Sequence, residues 1–177
     1  IYMQQVLGYS PVQAGASFLP MTLLVIALAP RMGTLSDKFG SRWLVGGGMS
    51  LLALMLFYYS QLGAHESLWA LLPGLVLGGT GMAMTMTPTT AAAMSAVAVD
   101  KAGVGSAVLN SARQVGGSLG IAVMGAIVAS RTDYLSGFHD ALRLGAVLCL
   151  AGAAVAVLAV RKIEHPHHAA EPAAEAA

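Results

Sequence analysis

The sequence predicts an all-α integral membrane protein, and two observations carry that prediction. The chain of 177 residues is 56% hydrophobic and only 10% charged, with a mean hydropathy of +0.72, whereas soluble domains carry about 25% charge. Its charges also fall in short segments between long apolar runs: Pro11 to Pro30 and Trp43 to Leu62 contain no Asp, Glu, Lys, Arg or His. At a rise of about 1.5 Å per residue, each run crosses a hydrocarbon core of roughly 30 Å as one helix. The net charge of +1 is dispersed among loops, so nucleic acid is not an expected partner. Cys149 lies in an apolar run, has no disulfide partner in this sequence, and reads as a small buried hydrophobe.

Five spans follow in order, at about 11–30, 43–62, 68–87, 104–130 and 141–160, within a transmembrane bundle over 1–163. The first opens at Ser10-Pro11-Val12-Gln13, where Ser10 caps, Pro11 needs no hydrogen-bond partner and Gln13 completes a capping box. Pro20 removes a backbone donor inside it and predicts a kink. The second span places Trp43 at one interface and Tyr58 and Tyr59 at the other. The third enters with Leu68 and Trp69, stays uncharged to Thr87 and meets Pro88, after which Thr89 to Val99 continues as a small-residue helix near the cytoplasmic surface. Asp100, Lys101 and Gly103 form a turn. The fourth span, Val104 to Ser130, is longer than a bilayer needs, and its first turns should project beyond it. A loop from Arg131 to His139 leads to the fifth span, Ala141 to Val160.

With this layout Arg31, Lys38, Arg42, Lys101, Arg161 and Lys162 share one side, against Arg131 and Arg143 on the other. The positive-inside rule makes the first side cytoplasmic and puts the C-terminus there, in a multi-pass cell (inner, plasma) membrane protein. Residues 164–177, rich in Ala, Pro, Glu and His, are expected to form a disordered cytoplasmic tail. Ile1 to Leu7 followed by Gly8 resembles the end of a helix closed by glycine, so the chain reads as a fragment of a longer protein.

Between the first two spans lies Gly33-Thr-Leu35-Ser-Asp37-Lys38-Phe-Gly40-Ser-Arg42. This resembles the signature G-x-L-x-D-R-x-G-R-[KR] of the major facilitator superfamily, with Lys38 for the usual Arg and Ser41 for a basic residue. Gly105-Ser-Ala-Val-Leu-Asn110-Ser-Ala-Arg113-Gln114-Val-Gly116-Gly117-Ser-Leu-Gly120 resembles the penultimate helix of the fourteen-helix drug:proton antiporter (multidrug efflux) branch. So does Tyr2-Met-Gln4-Gln-Val-Leu-Gly8-Tyr-Ser-Pro11-Val-Gln-Ala-Gly15, the approach to an earlier helix. The resemblance implies that the five helices form most of the C-terminal bundle of that fold. It further implies a proton-coupled secondary exporter of drugs or other amphipathic small molecules, completed by an N-terminal part outside this sequence.

The residues themselves leave several roles open. Gly33 and Gly40 permit tight turns and close helix approach, and Asp37 can accept from a helix N-terminus or pair with a cation. Lys38 and Arg42 suit topology and anionic headgroups. The resemblance makes Gly33, Asp37, Lys38, Gly40 and Arg42 a conformational latch, and a purely topological loop is the other reading. Ser106, Asn110, Arg113, Gln114 and Gly117 recur at helical spacing as a polar stripe. Arg113 is then either a cavity-lining donor or a residue that snorkels to the interface or makes a structural bond to the neighbouring helix. Met82 and Met86, with Met84 and Met94 among threonines, are either part of an adaptable substrate surface or ordinary filler. Gly74 and Gly78, and Gly116 and Gly120, have the small-xxx-small spacing of close helix packing.

No Asp or Glu lies within the five expected spans, so proton coupling comes from the resemblance alone. All five histidines lie in loops or the tail, which offers no intramembrane Ser/His pair or metal ligand set. The chain is therefore expected to be no enzyme, with no catalytic residue, cofactor or metal. Its expected partners are the bilayer, the remaining part of the same transporter, a small amphipathic substrate and protons. The alternative is a small polytopic membrane module, a scaffold or subunit, without transport of its own.

Overall fold

The computed structural model describes residue 8, residues 10–63 and residues 68–159. The expected N-terminal helix end at Ile1 to Leu7, the turn 64–67 with His65, and the tail with His165, His167 and His168 lie outside the described residues. The helices are α1 (Pro11–Ala16), α2 (Leu19–Phe39), α3 (Ser41–Tyr59), α4 (Leu68–Ser95), α5 (Ala102–Ser130) and α6 (Tyr134–Ala159), with one 3₁₀ turn at Val99–Lys101. With α1 and α2 taken as one unit, five helical stretches are long and apolar enough to cross a membrane.

The expected capping box forms at Ser10. Its N–H donates to Gln13 Oε1 at 3.0 Å, and the Gln13 N–H donates to Ser10 Oγ at 3.3 Å. The kink expected at Pro20 takes another form. The helix breaks at Ser17 and Phe18, and Pro20 enters the first turn of α2, where a backbone donor would lack an intrahelical acceptor anyway. Ser17 Oγ donates to the Gln13 carbonyl at 2.8 Å, satisfying a carbonyl beside the break.

A larger correction concerns residues 30–44, which the sequence reading made a loop. They are helical on both sides of Gly40: α2 runs through Pro30 to Phe39, and α3 starts at Ser41. A proline inside a membrane helix is tolerated when neighbouring groups compensate; beside it, Arg31 Nη1 folds back to donate to the Ala27 carbonyl at 2.9 Å. Proline fails to end α4 as well. That helix is continuous through Pro73 and Pro88 to Ser95, with Pro88 fully buried, so the small-residue helix expected to continue after Pro88 forms its last turns and ends at Ser95. The loop expected from Arg131 to His139 is mostly the start of α6, because Asp133 caps it by accepting from the Ser136 N–H at 2.9 Å.

Helix α3 is the hub. It packs along α4 on one side and α6 on the other, α2 lies against α4, and α5 packs chiefly on α6 with a lighter contact to α4. The antiparallel order puts Gly40 and the 3₁₀ turn at one end, the hinge end, and the α3–α4 and α5–α6 connections at the far end. There Tyr58 Oη donates to the Ala70 carbonyl (2.8 Å) and Tyr59 Oη to the Leu71 carbonyl (3.0 Å), while the His139 ring contacts the Leu62 carbonyl through Nε2 at 2.8 Å.

Buried leucines such as Leu44, Leu71 and Leu75 are joined at the helix contacts by glycines and methionines. Gly48 and Gly81 cross backbone against backbone: a Cβ on either would lie 2.8 Å from the other's carbonyl oxygen. Elsewhere a methionine fills the space beside a glycine, as Met84 does at Gly47, Met55 at Gly78, Met124 at Gly145 and Met49 at Gly152. The Tyr59 ring does the same at Gly74. Lipid supplies no hydrophobic drive between helices, so close approach and a pliable side chain supply the dispersion contacts instead. Leu23, Ile26, Trp69, Val76, Val147 and Leu158 are all exposed, as expected of surfaces solvated by acyl chains.

Candidate functional site

Helix α5 has no buried residue over its whole length. It rests on α4 at the hinge end, where Gly105 faces Val97 and Met94, and on α6 at the far end, where Met124 meets Gly145 and Val128 meets Gly137. Arg113 is the twelfth residue of this 29-residue helix, roughly 17 Å from its start. Its Nη2 donates to Thr90 Oγ1 of α4 at 2.7 Å, and the Thr90 hydroxyl in turn donates to the Met86 carbonyl at 2.8 Å.

That chain of bonds joins two ridges. Met82, Met86 and Thr90 are spaced four apart along α4 and so share one of its faces. Met82 and Met86 are exposed, as are Asn110, Arg113 and Gln114 on α5. Arg113 thus ties α5 to the α4 ridge that carries Met82 and Met86, with Asn110 and Gln114 exposed beside it on α5. Thr90 was missed in the sequence reading because only an α4 running unbroken past Pro88 carries the ridge that far. Met84 and Met94 behave differently, packing against Gly47 and Gly105.

The hinge end gathers the signature residues. Gly40 has φ 83° and ψ 140°, a region that L side chains rarely adopt. Its N–H donates to the Ser36 carbonyl at 2.8 Å, and the Ser36 and Ser41 hydroxyls are hydrogen-bonded at 2.8 Å in a buried pair across it. Asp37 and Lys38 are exposed on the last turn of α2. The Arg42 guanidinium carbon lies 5.4 Å from the Trp43 ring centroid, while its Nε is buried without a hydrogen-bond partner. A Cβ on Gly33 would meet only Thr87 Cγ2, at 3.9 Å, so the close approach expected there is an ordinary contact. At Gly116 and Gly120 nothing lies within 4 Å of a built Cβ. The packing expected of that pair is not made with any described residue, whereas Gly74 and Gly78 are tightly covered.

The far end balances its own charges. Arg131 Nη2 pairs with Asp140 Oδ2 at 2.7 Å and Arg143 Nη1 with Asp140 Oδ1 at 3.6 Å. The backbone bond from Ser136, the main cause, holds the Asp133 carboxyl below its ordinary value. Among the described residues no group of three His, Cys, Asp or Glu could hold a metal ion.

The far-end charge pairs, the glycine hinge and the polar seam lie on a bundle of membrane-length helices, and comparison with known proteins agrees with that architecture. The sequence profile of the Major Facilitator Superfamily matches residues 1–177. The multidrug resistance protein Stp of Mycobacterium tuberculosis is 35% identical over 131 residues, covering 73% of this chain and 24% of the relative. The tetracenomycin C resistance and export protein of Streptomyces glaucescens is 40% identical over 130 residues, with 73% and 24% covered. An uncharacterized MFS-type transporter of Mycobacterium tuberculosis, EfpA, is 34% identical over 177 residues, covering 89% of this chain and 33% of the relative. The chain spans between a quarter and a third of these relatives' length, and with a profile match over its whole sequence it belongs to the Major Facilitator Superfamily of membrane transporters.

Proposed function

We propose that this chain is part of a secondary active exporter of amphipathic small molecules, working by alternating access around a site that the α4–α5 seam helps to line. The observation that carries the reading is Arg113, deep in a membrane-length helix and exposed beside Asn110, Gln114, Met82 and Met86. An arginine at that depth is costly against lipid and acceptable against protein or a water-filled cavity. Snorkelling is disfavoured by the Arg113–Thr90 bond, which directs the guanidinium toward a neighbouring helix. Export is suggested by relatives named for multidrug resistance and for tetracenomycin C resistance and export.

In this reading the hinge end is cytoplasmic, following its excess of basic residues, and so is the C-terminus. Gly33, Asp37, Lys38, Gly40 and Arg42 act as a latch that holds α2 and α3 in one state of the cycle. An N-terminal part of the same protein supplies the facing bundle and the proton-carrying acids, since no carboxylate lies mid-helix among the described residues.

The test is drug accumulation in an efflux-deficient host expressing the full-length protein, with and without a protonophore. Reduced accumulation that the protonophore restores supports a proton-coupled exporter. Accumulation equal to that of the empty host across a panel of amphipathic antibiotics would leave the chain a non-transporting membrane module. Asp37→Asn should lower export while membrane-inserted protein stays near the wild-type level, because it removes the charge of an exposed carboxylate and no core contact.

A further inference from the structure

We propose that the α4–α5 seam is an anion-accepting subsite, and that the compound carried past it presents an organic oxyanion to Arg113. This rests on the reading that the seam lines the transport pathway, and it adds the charge class of the substrate. Arg113 has a neutral partner: its bond goes to the hydroxyl of Thr90, which is itself anchored to the Met86 carbonyl. That bond uses one of five guanidinium N–H donors and neutralises nothing.

The described carboxylates Asp37, Asp100, Asp133 and Asp140 all lie at or near helix ends. Asp100, the nearest to Arg113 in sequence, precedes it by 13 residues, roughly 20 Å along a helix. The ion pairs that Asp140 makes with Arg131 and Arg143 are at the far end.

The groups around Arg113 suit an amphipathic anion. Asn110 lies three residues before it and Gln114 directly after, and both side chains are exposed and donate through their amides. Met82 and Met86 offer an adaptable apolar wall on α4. A planar fork with free donors binds a carboxylate, sulfonate or phosphate oxygen in preference to a point cation, which it repels. Cationic amphipaths would therefore need acids supplied elsewhere in the protein.

The experiment reads the charge of the seam without requiring a known substrate. Asn110→Cys is placed in full-length Cys149→Ala protein, and labelling rates are compared for two thiosulfonates of similar size, one carrying a sulfonate and one a trimethylammonium. After normalisation to a free thiol, the anionic reagent should react about tenfold faster or more, since a unit charge within a few ångströms of the thiol acts with opposite sign on the two reagents. Adding Arg113→Gln should abolish the preference, and Arg113→Lys should keep most of it, so the result stands even if the glutamine variant folds poorly.

No preference in the Arg113 protein, a preference that survives Arg113→Gln, or a cysteine unreactive from water would each overturn the proposal. The first of these is the result expected if a carboxylate from elsewhere in the protein neutralises the arginine. Repeating the rates in phosphatidylcholine and in phosphatidylglycerol nanodiscs separates the sources of an oxyanion. A preference lost only in phosphatidylglycerol assigns the site to a lipid headgroup and overturns the substrate assignment. Failure of the exporter reading is seen separately, in the accumulation assay, because these rates are independent of export.

Discussion

Gly47 and Gly48 are adjacent in α3, yet replacing each with alanine should have opposite effects. Both changes gain the same intrinsic term, since alanine is favoured over glycine inside a helix by about 1 kcal/mol. They differ in what the new methyl meets. At Gly47 the only neighbour is the Met84 Cε, 3.3 Å away, the far end of a side chain with three rotatable bonds that can swing aside. At Gly48 the methyl meets Thr85 Oγ1 at 2.5 Å, the Gly81 carbonyl oxygen at 2.8 Å and Met84 Cβ at 2.9 Å. Two of those atoms are backbone or the first side-chain carbon, so relief requires α3 and α4 to separate. The Thr85 hydroxyl is also held by its 2.8 Å bond to the Gly81 carbonyl. Overpacking of this kind costs about 1–3 kcal/mol, occasionally more. The net expectation is a Gly47→Ala protein within about 1 kcal/mol of the parent or more stable, and a Gly48→Ala protein less stable by up to about 2 kcal/mol. Thermal unfolding of the full-length protein in detergent, followed by intrinsic fluorescence, reads the difference. Equal melting of the two variants would refute the backbone-on-backbone crossing and with it the placement of α4 against α3.

Gly40→Ala should destabilise the hinge by about 1–3 kcal/mol, because the residue has a backbone conformation open essentially to glycine; Gly33→Ala, inside α2 with only an ordinary contact at 3.9 Å, should melt no lower than the parent. Cysteines at Lys38 and Ala102 in a Cys149→Ala background should be shielded from an impermeant thiol reagent in intact cells while those at Gln61 and Ser136 label, and the reverse pattern would invert the proposed orientation. The Asp133 cap stabilises α6 when ionised, and its folded pKa is depressed, so the contribution is present above the ordinary carboxyl range and lost as pH falls through the lowered value. The melting temperature of the parent should therefore fall on acidification relative to Asp133→Asn, and parallel pH profiles would exclude the cap.

The membrane class and the helical architecture were legible because both rest on composition and on the length of uncharged runs, which the bilayer itself enforces. The helix ends were less so. Pro30 and Pro88 marked the expected ends of the first and third spans, yet both lie inside continuous helices. In lipid the alternative to an interrupted helix is an unsatisfied backbone, so proline marks a site needing compensation more than a terminus. Charge misled similarly at Arg131 to His139, where a segment read as loop begins with an aspartate cap. Asp133 followed by Ser136 carried that signal in the sequence. The glycines show a different limit. Gly74 and Gly116 look alike in a small-xxx-small pattern, and only the three-dimensional neighbours reveal that one holds a tyrosine ring and the other faces open space.

Exposure means two different things on this bundle, and separating them is what gives the seam its significance. Leu23, Ile26, Val76, Val147 and Leu158 are exposed and apolar, and each gains by facing acyl chains as much as by facing protein. Asn110, Arg113 and Gln114 are equally exposed, but their amides and guanidinium in hydrocarbon would each cost several kcal/mol if unsatisfied, by the order of magnitude for buried polar groups. A membrane helix cannot present both surfaces to the same solvent. Helix α5 divides them by rotation: the line through Val104, Val108, Val115 and Leu119 is apolar, and Arg113 projects from the opposite side toward Thr90. The α4 ridge that meets this polar side carries methionine and threonine in place of leucine and phenylalanine, the composition that tolerates water and a changing ligand together. Lipid on the apolar side and a polar space on the other is what the proposed site requires of an arginine this far from either end of its helix.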